Sequence, residues 1–456
     1  MSLVFAPAEL AASTGGRWTV LPSAPITGFG ADTRALRPGE VFVALRTERR
    51  DGHDFLADAR ARGAAAAIVA RPVDDPLPQL VVAEPLVALR AAAAAWRARF
   101  PGRVVGVTGS VGKTSTKEFL AHVLGAAAFV TEANLNNLLG VPLMLLRTDP
   151  ERHRFAVIEA GMSVPGELGL SARAIAPDIA IVTAVAAVHL EGVGSLAGVA
   201  REKASLVAAL APQGRAVVPA ALLAWPDFAA HAPRTVAVAF AGEAAPAVAP
   251  ARLVRAAFLD DGKGGRVVSL DGEVFPLGPL SEGLARNAAL ALVAARLLGV
   301  PAAALAAVSA GWSAPAGRGS VHADGARTFY VDCYNASPAS LLDAAAAFDR
   351  LAPAGPRLFV LGGMAELGPD SARLHRECAA RLPLRAGDQV VVFGGDAPAY
   401  LAGITTAGVR ATTADGIEAV TSLVTAHQGA VFLKGSRAFA LERVLPPAVR
   451  AALSFH

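Results

Sequence analysis

The sequence predicts an α/β protein of three domains, and three observations lead there. β-Branched runs recur along the chain with stretches of helical spacing between them, the alternation that builds parallel sheets. One such run, Val104-Val105-Gly106-Val107-Thr108, passes through Gly109-Ser110-Val111-Gly112 into Lys113-Thr114 and an apolar stripe at Phe119, Leu120, Val123 and Leu124. It reads as strand, glycine loop and helix. The chain's 456 residues suit about three domains, and 54% hydrophobic against 18% charged content lets each bury a core. The expected division is a small N-terminal α/β domain over residues 1–100, a central P-loop ATPase-like domain with a parallel sheet over 101–313, and a Rossmann-like α/β domain over 314–456.

In the first domain, residues 41–45 and 65–69 read as strands, His53 to Arg62 as a helix between them, and Leu86 to Phe100 as the helix leading onward. Two polar triplets stand among these elements, Asp32-Thr33-Arg34 and Asp51-Gly52-His53, each readable as a turn or as ligand contacts at a strand end. In the central domain, the strand 155–158 ends in Glu159, and 179–183 runs on toward His189-Leu190-Glu191-Gly192. Past residue 317, strands are expected at 329–332, 357–361, 390–393 and 431–434, with Ser337 as N-cap and Pro338 opening the first helix. This last sheet lacks G-x-G-x-x-G, which argues against a dinucleotide cofactor.

Composition excludes several classes. The longest uncharged run, Leu297 to Gly317, is broken by Gly299, Pro301, Gly311 and Pro315, so a membrane span is rejected. No basic stretch leads into an apolar core at the N-terminus, and the cytoplasm is the expected location. Cys333 and Cys378 read as free thiols. A net charge of +4 spread along the chain gives no nucleic-acid footprint.

The glycine loop carries the clearest chemistry. Backbone N–H groups of Gly109, Ser110, Val111 and Gly112 at a helix N-terminus suit phosphate oxygens, Lys113 adds a point charge for the β- and γ-phosphates, and the Thr114 hydroxyl suits Mg²⁺. The strict phosphate-loop pattern asks for Gly at 107, where this chain has Val. Glu159 and His189 fall at the C-terminal edge of the sheet, where open α/β folds bind ligands, and suit metal ligation. Lys203, between Glu202 and Ala204, reads from its neighbours as a solvated surface lysine. On the residues alone, a P-loop ATPase or kinase that forms no amide stays open.

Taken together, Thr108 with the loop to Thr114, Asn134-Leu135-Asn136-Asn137, Glu159, His189-Leu190-Glu191-Gly192, Lys203, Asn287, Arg318, Asp332 and Lys434-Gly435-Ser436-Arg437 resemble the Mur ligases, amide-forming enzymes of peptidoglycan precursor synthesis. The stretches 32–34, 38–44, 134–142, 189–196, 332–338 and 361–368 with His375 are most similar to the branch that adds a dipeptide. The resemblance implies a bacterial, cytoplasmic, monomeric ligase that joins D-Ala-D-Ala to UDP-N-acetylmuramoyl-tripeptide through an acyl phosphate, using ATP and two Mg²⁺ ions. It further implies that Thr108 to Thr114 hold the triphosphate, that Thr114 and Glu159 hold one metal, and that His189 with a carbamylated Lys203 holds the second. Asn287 and Asp332 would contact adenine and ribose, and Arg318 would swing to the γ-phosphate as the third domain closes. Asp32, Thr33 and Arg34 would meet the UDP-sugar, and Asn134, Asn136 and Asn137 would lie near the acceptor carboxylate. The chain departs from the family pattern at Thr47, Ser163-Val164, Ser281-Glu282-Gly283 and Val331.

Overall fold

The computed structural model describes residues 4–186, 194–260, 265–352 and 354–453. It contains three sheets, of five, nine and six strands, and the chain divides into two compact units. The first unit comprises Met1–Thr108, Leu124–Val182 and Glu202–Ala216; the second comprises Gly109–Val123, Thr183–Arg201 and Val217–His456.

In the first unit the N-terminal sheet is built from β1 (Arg17–Trp18), β2 (Gly28–Gly30), β3 (Glu40–Val43), β4 (Ala66–Val69) and β5 (Gln79–Val81), in the order β1-β5-β4-β3-β2. Only the β1–β5 pair is antiparallel. β3 and β4 are buried along their whole length, which is why they read as unbroken apolar runs rather than alternating ones. The single helix expected over 53–62 is two pieces, a 3₁₀ turn Gly52–Phe55 and a helix Leu56–Ala61. The tighter turn is set by Asp51, whose carboxylate accepts from the His53 N–H at 3.0 Å and pairs with the His53 ring at 2.6 Å, while His53 Nε2 accepts from the Ala70 N–H at 2.9 Å. Helix Pro85–Arg99 starts where expected, with Glu84 capping Leu86 and Val87.

The same unit carries β6 (Arg103–Thr108), β7 (Ala128–Val130), β8 (Phe155–Glu159) and β9 (Ile179–Val182), all parallel in the order β9-β6-β8-β7. Val107 pairs with Glu159 across β6 and β8. Position 107 is therefore inside a buried strand, and the missing glycine costs the loop nothing because the turn begins two residues later. The chain leaves this unit along β10 (Arg215–Pro219).

The second unit holds β11 (Thr235–Phe240), β12 (Arg252–Asp260), β13 (Arg266–Leu270) and β14 (Glu273–Leu277), where pairing changes from parallel to antiparallel after β12. Its last sheet is β15 (Ser320–Asp324), β16 (Arg327–Asp332), β17 (Arg357–Gly362), β18 (Gln389–Phe393), β19 (Arg410–Ala414) and β20 (Ala430–Lys434), ordered β15-β16-β20-β17-β18-β19 and parallel apart from β15. Tyr330, Phe348, Phe359 and Phe432 pack one face, and Val331, Leu358, Val360 and Leu433 the other. A sheet covered on both faces is the doubly wound arrangement expected of this region. Ser337 caps helix Pro338–Leu351 with a reciprocal Ser340 bond and Pro338 at its first position, as read from the sequence. Residues 297–317 form no span: helices end at Leu297 and run again from Ala302 to Ser309, and among the described residues no helix is long and apolar enough to cross a membrane.

Candidate functional site

The phosphate loop in the second unit is shaped by two glycines, each at a positive φ and each closely faced by a neighbouring side chain. Gly109 has φ +152°, and a Cβ there would lie 1.9 Å from Thr183 Oγ1. Gly112 has φ +85°, and its Cβ would lie 2.5 Å from Asn287 Oδ1 and 2.6 Å from Asn287 Nδ2. Partners the sequence did not disclose hold the loop. Ser110 N–H donates to Ala184 O at 2.9 Å, Ser110 Oγ exchanges bonds with Ala186, and Thr183 Oγ1 donates to Val111 O. Lys113 Nζ donates to Gly109 O at 2.8 Å, so the ammonium curls over the loop's own backbone. Thr114 stands at the first turn of helix Lys113–Leu124, whose N-terminal amides and dipole favour an anion.

In the first unit, β8 ends in Glu159, which is 1% exposed. Asn136 Nδ2 donates to Glu159 Oε1 at 2.7 Å, and the Asn136 carbonyl accepts from Gly161 at 2.7 Å. Thr131 Oγ1 accepts from the Glu159 N–H at 2.9 Å. Asn136 is thus an orienting partner of the acid, a role invisible at a separation of 23 residues. Asn137 Oδ1 accepts from the Leu139 and Gly140 N–H groups at the approach to helix Gly140–Leu145, while Asn134 is exposed. Lys203 is not the solvated lysine its neighbours suggest: it is 1% exposed, with Nζ 3.5 Å from Thr108 Oγ1. The signal was in the spacing, because Val199, Ala200, Lys203, Leu206 and Val207 share the buried face of helix Leu196–Ala208. His189 lies outside the described residues.

Asp32 and Arg34 form a two-pronged ion pair, with Arg34 Nη2 on Asp32 Oδ2 at 2.7 Å and Nε on Oδ1 at 3.0 Å, and Asp32 caps the 3₁₀ turn Thr33–Ala35. Hydrogen bonds from the Arg34 side chain and backbone hold the Asp32 carboxyl at about 2. Both triplets lie in turns, and Thr33 opens one of them.

Back in the second unit, Asp332 at the end of β16 pairs with Lys434 at the end of β20, Nζ to Oδ2 at 2.9 Å, and Lys434 Nζ also donates to Asn335 O at 2.7 Å. Burial pushes the Asp332 carboxyl above its ordinary value, outweighing the nearby Lys434 and Arg318. The Arg318 guanidinium lies over the Tyr334 ring, 4.0 Å from its centre. At Ser281-Glu282-Gly283, Ser281 caps helix Glu282–Leu297 and the Gly283 N–H donates to Asp343 Oδ1 at 3.0 Å.

Taken separately, the Thr114 hydroxyl in the second unit and the Glu159 carboxylate in the first are each hard oxygen donors, which suit Mg²⁺ better than a softer ion, and among the described residues no three His, Cys, Asp or Glu side chains cluster as a metal cage. Mg²⁺ commonly takes one or two carboxylates and leaves its remaining positions to water and substrate phosphates.

Three family models match the chain: Mur ligase family, catalytic domain, over residues 25–95; Mur ligase middle domain over 107–295; and Mur ligase, glutamate ligase domain, over 317–437. A UDP-N-acetylmuramoyl-tripeptide--D-alanyl-D-alanine ligase of Escherichia coli is 36% identical over 91% of this chain and 92% of its own. One of Bacillus subtilis is 30% identical over 81% and 80%. A crystal structure of MurF from Acinetobacter baumannii superposes with a TM-score of 0.83 at 29% identity, covering 99% of this chain and 98% of that one. The MurF ligase of Thermotoga maritima in complex with ADP superposes at 0.76 with 28% identity, over 91% and 96%. With likeness running through both units, the chain belongs to the Mur ligase family and is of the MurF type.

Proposed function

We propose that this chain joins D-alanyl-D-alanine to UDP-N-acetylmuramoyl-tripeptide with cleavage of ATP, forming UDP-N-acetylmuramoyl-pentapeptide, ADP and phosphate in peptidoglycan precursor synthesis. The observation that carries the reading is the near full-length likeness to the E. coli ligase of that name. A carboxylate is a poor electrophile, so its oxygen first takes the γ-phosphoryl group and ADP leaves. The dipeptide amine then attacks the acyl carbon, phosphate departs, and the amine loses a proton.

The chain's own residues supply positioning and charge. The amides of Gly109 to Gly112 receive phosphate oxygens, and Lys113, already turned over the loop, exchanges its bond to Gly109 O for the triphosphate. Asn287 and Asp332 meet the nucleoside, and Arg318 adds a cation toward the transferring phosphoryl group. Asn136 fixes the Glu159 carboxylate through Oε1. Thr114 and Glu159 would hold one Mg²⁺ and His189 with carbamylated Lys203 a second, the ions offsetting charge between triphosphate and carboxylate. The N-terminal residues Asp32, Thr33 and Arg34 face the UDP-sugar, and Asn134 and Asn137 the acceptor end of the peptide. Residues 1–100, 101–313 and 314–456 are read as the UDP-sugar-peptide-binding domain, the central ATP-binding ligase domain and the C-terminal Rossmann-like domain, in a cytoplasmic monomer.

The test is to incubate the protein with ATP, Mg²⁺, D-Ala-D-Ala and a UDP-tripeptide carrying lysine or diaminopimelate, and to seek the pentapeptide by mass. ATP cleavage independent of dipeptide, with no pentapeptide from either tripeptide, refutes the reading.

A further inference from the structure

The geometry points to Tyr334 as the residue that positions Arg318, an inference that rests on reading Arg318 as the cation directed at the transferring phosphoryl group. Arg318 stands between two left-handed glycines, Gly317 at φ +68° and Gly319 at φ +82°. Its backbone is fastened on both sides to the end of β16: the Tyr334 N–H donates to Gly317 O and the Gly319 N–H to Val331 O, each at 3.0 Å. A third bond, from the Arg318 N–H to Pro315 O at 3.0 Å, closes the bend. Gly319 has no room to move toward the sheet, since a Cβ there would stand 2.9 Å from Tyr330 Oη.

With the main chain fixed, the direction of the guanidinium is a matter of side-chain torsions alone, and a long flexible stem loses its aim unless something holds its tip. The Asp332 carboxylate is the nearby anion, but Lys434 is bonded to it at 2.9 Å. The surface left for Arg318 is the Tyr334 ring face, 4.0 Å from the guanidinium carbon. A ring face suits a phosphate-directed arginine. It attracts the cation through the π-cloud and leaves the in-plane N–H donors for oxygen acceptors. The same peptide that fixes Gly317 carries the ring, so platform and arm keep one register.

Tyr334→Leu keeps bulk and removes the π-face. It should lower kcat about fivefold, on the scale of a partly exposed cation–π contact, with KM for ATP within about twofold. Tyr334→Phe, which keeps the ring, should restore the lost rate. If Tyr334 acts only through Arg318, the double variant Arg318→Ala/Tyr334→Leu is as slow as Arg318→Ala alone. Multiplying losses in the double variant, an unchanged kcat in Tyr334→Leu, or a rise in KM for ATP at constant kcat would overturn the assignment; the last would give the ring to the nucleotide. Parent-like turnover in Arg318→Ala would instead overturn the underlying role of the arginine.

Discussion

Replacing Gly112 by alanine separates the two reasons for a glycine in the phosphate loop. At φ +85° an alanine carries left-handed strain of about 1–2 kcal/mol. Its Cβ would also meet the Asn287 amide at 2.5–2.8 Å, where ordinary contact begins near 3.4 Å. Asn287 presents the far end of a rotatable side chain there, so the collision resolves by the amide swinging out rather than by unfolding. Gly125 supplies the control: it has φ +64° and nothing within 4 Å of its Cβ. Gly112→Ala and Gly125→Ala should therefore lose similar stability in urea unfolding, about 1–2 kcal/mol each. They should differ in ATP affinity. If Asn287 makes one or two bonds to the nucleotide at about 0.5–1.5 kcal/mol each, its displacement weakens ATP binding roughly 2- to 150-fold, while Gly125→Ala leaves it unchanged. Calorimetric titration of both variants with ATP decides the matter. Equal ATP affinity in the two would show that Asn287 against Gly112 is packing only.

Lys113→Ala should fold normally, because the side chain is only half-buried at the first turn of its helix, yet lose about 10²-fold or more in ATP turnover; a well-folded variant with parent turnover removes Lys113 from the reaction. Lys203→Ala should lose most activity while still binding ATP, and a small carboxylic acid in the buffer should restore part of it by taking the place of the carbamate. Lys203→Arg should stay inactive, and parent-like rates in it would make the residue a simple cation. The Asp51 carboxyl is held at about 2 by the His53 N–H first, then by the His53 ring and Arg71. A lowered carboxylate stabilises fully above its unfolded value and loses that contribution as pH falls toward the folded one. Acid unfolding of Asp51→Asn should therefore be shallower than the parent's between about pH 4 and pH 2, and parallel curves would count against the Asp51–His53 link.

How much of this could be read from the chain depended on how local each determinant is. Strand, loop and helix at 103–124 were legible because periodicity, glycine spacing and the Lys-Thr pair all act within a few residues. Ser337 with Pro338 was legible for the same reason. Val107 looked like a defect in the loop pattern only until its pairing with Glu159 placed it in β6. Lys203 looks solvated from its immediate neighbours, whereas the carbamate the resemblance implies asks for a desolvated amine; Val199 and Val207, one turn away on either side, mark its face as the buried one. The partners of functional side chains were out of reach: Asn136 to Glu159, Thr183 to Val111 and Lys434 to Asp332 join residues 23, 72 and 102 positions apart. No local propensity encodes such contacts; they exist because parallel strands deliver their C-terminal ends to one edge of a sheet. That is also why Lys434, the first residue of the Lys434-Gly435-Ser436-Arg437 stretch, acquires meaning only beside β16. The register Asp332↔Lys434 puts acid and amine opposite each other at the last pair of the ladder, where the strands end and side chains can turn toward a ligand.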